Sequence, residues 1–237
     1  MFIPYSKKYI KKYWEKSNAR IHGSTNKLEL EKNYLRYAIK IKSLIFKKEK
    51  IKEILDVGCA DGELSQQISF IFKDSNVDGL EQSKTLLDKY KVKKIGKAYL
   101  QSCTERWTNI NKKYDLIILN GVLQYLNYDE VKKLSYNVSS SLKKDGQLVI
   151  VGICDFDKLH KWYLKDTDKK SKLYKVYRYI SFGGLGALLT SRLWPDGTMW
   201  HDLKKIKKIF GEKFNYIIIH SESQSYRFDM VCFNEKV

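Results

Sequence analysis

The chain is poor in cysteine, proline and arginine, and it has no long apolar run. Its four cysteines, Cys59, Cys103, Cys154 and Cys232, are widely separated and make no Cys-x-x-Cys pair. That excludes a paired-cysteine zinc site and a disulfide framework, and it fits a reducing compartment. The four histidines, His22, His160, His201 and His220, form no His-Glu-x-x-His pattern, so local spacing predicts no metal centre. No stretch approaches about 18 consecutive apolar residues, so no membrane-spanning helix is expected. The N-terminal MFIPYSKKYIKKYWEKS has no apolar run behind its charges, unlike a secretory signal, and the expected location is cytoplasmic.

What is present is an ordinary globular composition. The chain has 237 residues, 43% apolar, 30% charged and 14% aromatic, which excludes a wholly disordered chain. A core of this size buries roughly three quarters of the unfolded surface, so no covalent staple is required. The net charge of +18 admits an anionic partner such as RNA, a membrane surface or a phosphorylated metabolite. Of the 45 basic residues only six are arginine, and proline occurs only at Pro4 and Pro195. Much lysine with scarce arginine and proline reads as the imprint of an AT-rich, bacterial genome rather than a dedicated polyanion face, because phosphate readers favour the arginine fork.

Residues 5–17 read as a short basic helix with Tyr5, Tyr9 and Tyr13 on one face, a stripe that fits plain packing as well as a lid. A loop follows to residue 26. Residues 28–48 read as a helix through Leu28, Leu35, Ile39 and Ile45. Strands and helices then alternate. Strands are expected at 51–57, 76–81, 97–101, 114–120 and 147–153, with helices at 63–72, 83–91 and 129–144, the last stopped by Gly146. After an irregular stretch at about 155–200 come a helix at 202–210 and strands at 215–220 and 227–233, close enough to pair antiparallel. This order predicts an α/β fold, a doubly wound and mostly parallel seven-stranded sheet with helices on both faces and an antiparallel last strand. The division expected is an N-terminal helical lid or substrate segment at 1–48 and a Rossmann-like domain at 49–237. That domain carries an inserted substrate lid at about 155–200, since long loops in compact domains are usually functional.

The segment richest in chemistry is Ile54-Leu55-Asp56-Val57-Gly58-Cys59-Ala60-Asp61-Gly62-Glu63-Leu64. A buried strand runs into a turn of small residues that opens a helix, so backbone can approach a ligand and helix-start N–H groups face it. The turn lacks the spacing of G-x-G-x-x-G and of the phosphate-binding G-x-x-x-x-G-K-[ST]. It resembles instead motif I of the class I S-adenosylmethionine-dependent methyltransferases, D-x-G-x-G-x-G, with Ala60 in place of the middle glycine. Val77-Asp78-Gly79-Leu80-Glu81, Tyr114 to Leu126 and Leu142 to Ile150 are similar to the family's second, fourth and fifth strand regions, in order. The resemblance covers about residues 50–154 and 201–234.

The resemblance implies S-adenosyl-L-methionine as cofactor and S-adenosyl-L-homocysteine as product. It implies that Asp56, Gly58, Cys59, Ala60 and Gly62 form the cofactor loop, with Cys59 a packing thiol. Glu81, beside Gln82, would hold the ribose hydroxyls. Asn120 and Gly121 would line the methionine end, Gln124 would lie near the cofactor, and Ser102 and Cys103 would meet the adenine, where this chain has no carboxylate before Glu105. Methyl transfer from a sulfonium is an in-line displacement that needs alignment and exclusion of water more than any universal catalytic residue. His201 is the candidate base or orienting group, against the competing reading of a histidine at a surface helix start. Tyr13, His22, Arg178, Arg192, Trp194, Trp200 and Arg227 are the expected substrate residues, forming a cationic-aromatic pocket. The function expected is methyl transfer to O or N of a small anionic metabolite, phosphorylated, carboxylated or sugar-related. The alternatives are an RNA methyltransferase using the basic surface, and a non-catalytic cofactor-binding protein.

Overall fold

The computed structural model describes residues 27–46, 51–158, 199–221 and 225–234. The first helix is α1 (Lys27–Ser43), followed by β1 (Glu53–Val57), α2 (Glu63–Ile71), β2 (Asn76–Glu81), α3 (Lys84–Val92), β3 (Ala98–Leu100) and β4 (Tyr114–Asn120). A short 3-10 turn (Leu123–Tyr125) leads to α4 (Tyr128–Ser141) and the long β5 (Leu142–Cys154). The chain closes with α5 (Leu203–Gly211), β6 (Asn215–His220) and β7 (Arg227–Phe233).

The seven strands make one sheet in the order β3-β2-β1-β4-β5-β7-β6. β1 to β5 run parallel, with Leu55 opposite Asp78 on one side and Ile117 on the other. β7 enters antiparallel to β5 and β6 pairs antiparallel to β7, as the sequence predicted. The strand order reverses between β1 and β4, the switch point at which open α/β sheets take ligands at their carboxyl edge.

Both faces are covered. On one face Val131, Leu134 and Val138 of α4 and Ile206 and Phe210 of α5 pack on Leu55, Ile117, Leu148 and Phe228. On the other, Tyr34, Ala38, Ile41 and Leu44 of α1 join Leu64 and Ile68 of α2 over Ile54, Leu116, Val149 and Val231. Each fully buried aliphatic side chain contributes about 2 kcal/mol by burial alone. The helix starts are capped by sequence: Asn127 and Glu130 exchange bonds in a capping box on α4, and Asp202 Oδ1 accepts from Lys204 N at 2.7 Å on α5.

Two expectations are corrected. Of the periodic series Leu28, Leu35, Ile39 and Ile45, the first three, on α1, stand exposed and Ile45 packs on the core, whose main α1 contacts are Leu30, Tyr34, Tyr37, Ala38 and Ile41. And α4 ends at Ser141 rather than 144, because Leu142 turns extended (φ −85°, ψ 140°) and pairs with Tyr114. Lys143 is then in β5, where its Nζ meets Asp115 Oδ1 at 2.7 Å.

The course of α1 bears on function. At its middle, burial raises the pKa of the Tyr34 hydroxyl, and the nearby charges of Asp61 and Glu63 add to the rise. In its last turn, Lys40 Nζ meets Asp229 Oδ2 at 2.6 Å. Past its end, Gln147 binds Phe46 N at 3.1 Å and Leu44 O at 3.4 Å. The helix thus descends from the carboxyl edge to the amino edge and is built into the same core as the sheet. Residues 5–17, and 159–198 of the expected insertion, lie outside the described residues.

Candidate active site

Val57 and Leu119 are partners across the switch point, so the turns after β1 and β4 open side by side. After β1 the chain takes left-handed conformations at Gly58 (φ 73°), Ala60 (φ 48°) and Gly62 (φ 80°). Gly58 is exposed between buried Val57 and Cys59, leaving bare backbone at the edge. The glycines also serve internal packing: a Cβ on Gly58 would lie 2.8 Å from Val122 Cγ2, and one on Gly62 would lie 2.6 Å from Tyr90 Cδ2. Gly62 caps α2 without a side-chain bond, so the helix-start N–H groups are not consumed by a capping side chain.

Asp56 lies behind this turn. It is buried, its Oδ2 accepts from Ser65 Oγ at 2.6 Å, and burial pushes its carboxyl up to about 7. Its observed work is to brace the turn against α2. Cys59 is buried beside Leu87 and Tyr90, a packing thiol as expected. Glu81 ends β2 one strand outward. Its Oε2 accepts from Ala60 N at 3.2 Å and its Oε1 from Ser83 N at 2.8 Å, so the carboxylate locks the turn to β2. Burial raises its pKa and these amide bonds oppose the rise. A carboxylate offers about four acceptor positions, so capacity remains for hydroxyls of a ligand. Gln82, next to it, is exposed.

After β3, Ser102 Oγ lies 3.1 Å from Thr104 Oγ1, and Asn137 Nδ2 of α4 holds the Cys103 carbonyl at 3.1 Å. After β4, Asn120 is half-buried and Gly121 is left-handed (φ 65°). Gln124 lies between the ends of two strands: its carbonyl accepts from Met199 N at 2.6 Å, and its Oε1 lies 3.9 Å from Cys154 Sγ.

His201 is neither an exposed helix-start residue nor an open base. It is fully buried, and its Nε2 lies 2.8 Å from the Leu123 carbonyl, so Nε2 must carry the proton. Nδ1 is buried with no hydrogen-bond partner among the described residues, and burial lowers the imidazole's pKa. Its ring meets Tyr128 edge-on at 5.5 Å. The Nε2 bond ties His201 to the turn bearing Gln124.

Of the expected substrate residues, Trp200 and Arg227 are described, while Tyr13, His22, Arg178, Arg192 and Trp194 lie outside the described residues. Trp200 is buried at 5.7 Å from the Tyr226 ring, and the Arg227 guanidinium stands 5.7 Å from the centre of that same ring. Arg227 pairs with Cys154 at the carboxyl end of β5, and its Nη1 donates to Gly152 O at 3.0 Å. Its Nε is buried with no acceptor, and no carboxylate pairs with it among the described residues. Tyr34, Tyr37 and Asp61 complete this edge and escaped the sequence reading. Tyr37 lies near enough to Arg227 to feel its charge, and Asp61 Oδ1 is buried with no hydrogen-bond partner among the described residues. The one sequence signal was a pair of tyrosines three apart on the helix preceding β1.

The exposed Gly58 backbone and the Glu81 carboxylate, joined through Ala60 N, leave backbone and carboxylate acceptors of the kind a nucleoside can use at this edge. No group of His, Cys, Asp and Glu side chains suited to a metal ion occurs among the described residues. The fold and this edge define a Rossmann-like class I architecture. Residues 55–148 match the methyltransferase domain family. This match and the fold support a class I S-adenosylmethionine-dependent methyltransferase, with S-adenosyl-L-methionine as the cofactor that such a site takes.

Particular relatives differ in what they are named for. The chain is 34% identical over 149 residues to the ribosomal RNA small subunit methyltransferase C of Buchnera aphidicola, covering 55% of this chain and 42% of that protein. It is 25% identical over 121 residues to the malonyl-[acyl-carrier protein] O-methyltransferase of Bacillus anthracis, covering 50% of this chain and 44% of that one. The chain therefore matches under half the length of these curated relatives. In fold it resembles the magnesium protoporphyrin IX methyltransferase of Synechocystis with bound cofactor, at a TM-score of 0.58 and 14% identity over 98% of this chain and all of that one.

Proposed function

We propose that the chain transfers the methyl group of S-adenosyl-L-methionine to an oxygen or nitrogen of a small anionic acceptor, phosphorylated, carboxylated or sugar-related. The observation that carries the acceptor class is Arg227, a half-buried guanidinium with no carboxylate partner among the described residues, at the carboxyl edge and flanked by Tyr226. Removing a cation from water without a counter-charge is costly, and a bidentate anion offsets that cost. In this reading Gly58, Glu81 and Gly121 hold the cofactor. Trp200 and Tyr226 wall the acceptor side, and His201 fixes the turn carrying Gln124.

The bound cofactor supplies an electrophilic methyl on sulfur. The chain's own residues bring the acceptor's lone pair into line and keep water out. Malonyl-[acyl-carrier protein] O-methyltransferases among the relatives suit an acidic acceptor. A second reading, methylation of RNA, draws on the +18 charge and on the ribosomal RNA methyltransferase relative.

Label transfer from methyl-labelled S-adenosylmethionine into small metabolites and total RNA of the source cell tests the proposal. Label in the small pool, lost in Glu81→Ala, is the expected result. Label in RNA with a salt slope of several log units replaces it with the second reading. Label in neither, with cofactor binding intact by calorimetry, leaves a binding protein.

A further inference from the structure

Helix α1 has a second apolar row besides the one it buries. Leu35 and Ile39, one turn apart, are 41% and 54% exposed, and Leu28, seven residues before Leu35, continues their line. On α2, against which α1 packs, Phe70 is 61% exposed. Four of the ten large apolar side chains that stand exposed among the described residues thus lie on this one helix pair, whereas the other exposed ones are scattered. Gathered exposure of this kind marks an interaction surface, where a lone exposed leucine does not.

The charges around the row decide what fits it. Lys32, Arg36 and Lys42 flank Leu35 and Ile39, are all exposed, and have no ion-pair partner among the described residues. The acids of α1, Glu29 and Glu31, both fall in its first two turns, so the stretch from Lys32 onward is purely basic. Two copies of a +18 chain meeting on this face would set lysine against lysine. A nucleic acid would use the lysines and leave the leucines in water. An anionic lipid surface uses both, since apolar side chains enter the acyl boundary while lysines meet the headgroups.

We propose that the α1–α2 face, through Leu35, Ile39 and Phe70 with Lys32, Arg36 and Lys42, is a peripheral docking surface for an anionic membrane. α1 lies flat on the sheet, so a bilayer on this face runs alongside the strands. The carboxyl edge, level with the middle of α1, then opens along the membrane surface. The surface stands apart from the cofactor cradle, and its test does not depend on the acceptor.

The experiment is co-sedimentation of the full chain with vesicles of phosphatidylcholine alone and with a third of phosphatidylglycerol, at moderate salt. Binding is expected to the anionic vesicles only. The double variant L35E/I39E is expected to weaken it at least about tenfold, and Val92→Glu, which alters an exposed apolar residue on α3, is expected to leave it unchanged. S-Adenosylhomocysteine binding measured by calorimetry stays the same in all three proteins, which separates this surface from the cofactor site. Unaltered vesicle binding by L35E/I39E would mean that lysines alone act, and overturns the proposal. Absence of vesicle binding overturns it, as does a self-association that the double variant abolishes. A fall in melting temperature beyond about 5 °C in that variant would show the row is covered in the folded chain, and overturns it as well.

Discussion

The imidazole of His201 donates its Nε2 proton to the carbonyl of Leu123, 2.8 Å away and 78 residues earlier in the chain. This bond ties the residue preceding α5's cap to the turn after β4. Because burial lowers the imidazole's pKa, the unfolded chain takes up the proton first on acidification. The stability held by neutral His201 is complete above the ordinary histidine value of about 6.5 and declines as pH falls below it, by up to about 1.4 kcal/mol per pH unit. Urea midpoints measured across that range should fall towards acid, and His201→Gln, which retains an N–H donor, should flatten the fall. A slope unchanged in the variant would assign the decline to other groups.

Asp56 works in the opposite direction. Its carboxyl, held up to about 7 by burial, binds a proton more tightly folded than unfolded. The contribution is full below about 4, the ordinary carboxyl value, and is lost as pH rises towards 7. Asp56→Asn keeps a partner for Ser65 and removes the charge. It should therefore raise the melting temperature more at pH 8 than at pH 5, and an equal rise at both would contradict the assignment.

The turn after β1 carries strain at one position. Ala60 is left-handed at φ 48°, a conformation that costs a residue with a Cβ about 1 kcal/mol. Ala60→Gly should recover part of that in denaturant titrations without changing affinity for S-adenosylhomocysteine. Gly58→Ala should lose about 1–3 kcal/mol from its own φ of 73° and the approach to Val122. Adding Val122→Ala should restore only the steric part.

Arg227→Met should raise the acceptor's KM at least about tenfold and leave the dissociation constant of S-adenosylhomocysteine within about twofold, the loss of one charged hydrogen-bonded contact. A matching loss of cofactor affinity would place the guanidinium on the cofactor's own carboxylate instead of the acceptor's anion.

Much of this molecule could be read from residue order. Asn76–Glu81, Tyr114–Asn120, Asn215–His220 and Arg227–Phe233 stand where the apolar runs and turns put them. The Gly58–Gly62 turn and Glu81 come together because each ends a strand of a parallel sheet. What was not legible depended on partners far away. α1 is apolar on two sides, and hydropathy cannot say which side meets the sheet; Tyr34 and Tyr37 are buried while Leu35 and Ile39 are not. The end of α4 is decided by Tyr114, 28 residues before Leu142, whose strand pairing overrides helix propensity. His201 looked like a base because histidine at a sheet edge is chemically suggestive. Only the packing around it shows that the ring is fully enclosed, with Nε2 tied to the Leu123 carbonyl.

Gly152 sits at an irregularity of β5, left-handed at φ 77°, with its N–H donated to Asp229 Oδ1 at 2.9 Å and its carbonyl accepting from Arg227. One residue therefore joins the buried Asp229 to the Arg227 guanidinium. Its amide resonance is a built-in spectroscopic probe. In a nitrogen–proton correlation spectrum, where glycines occupy a sparse region, the Gly152 signal should move when an anion engages Arg227. A library of candidate acids and phosphates could then be screened on the unmodified protein before any turnover is seen.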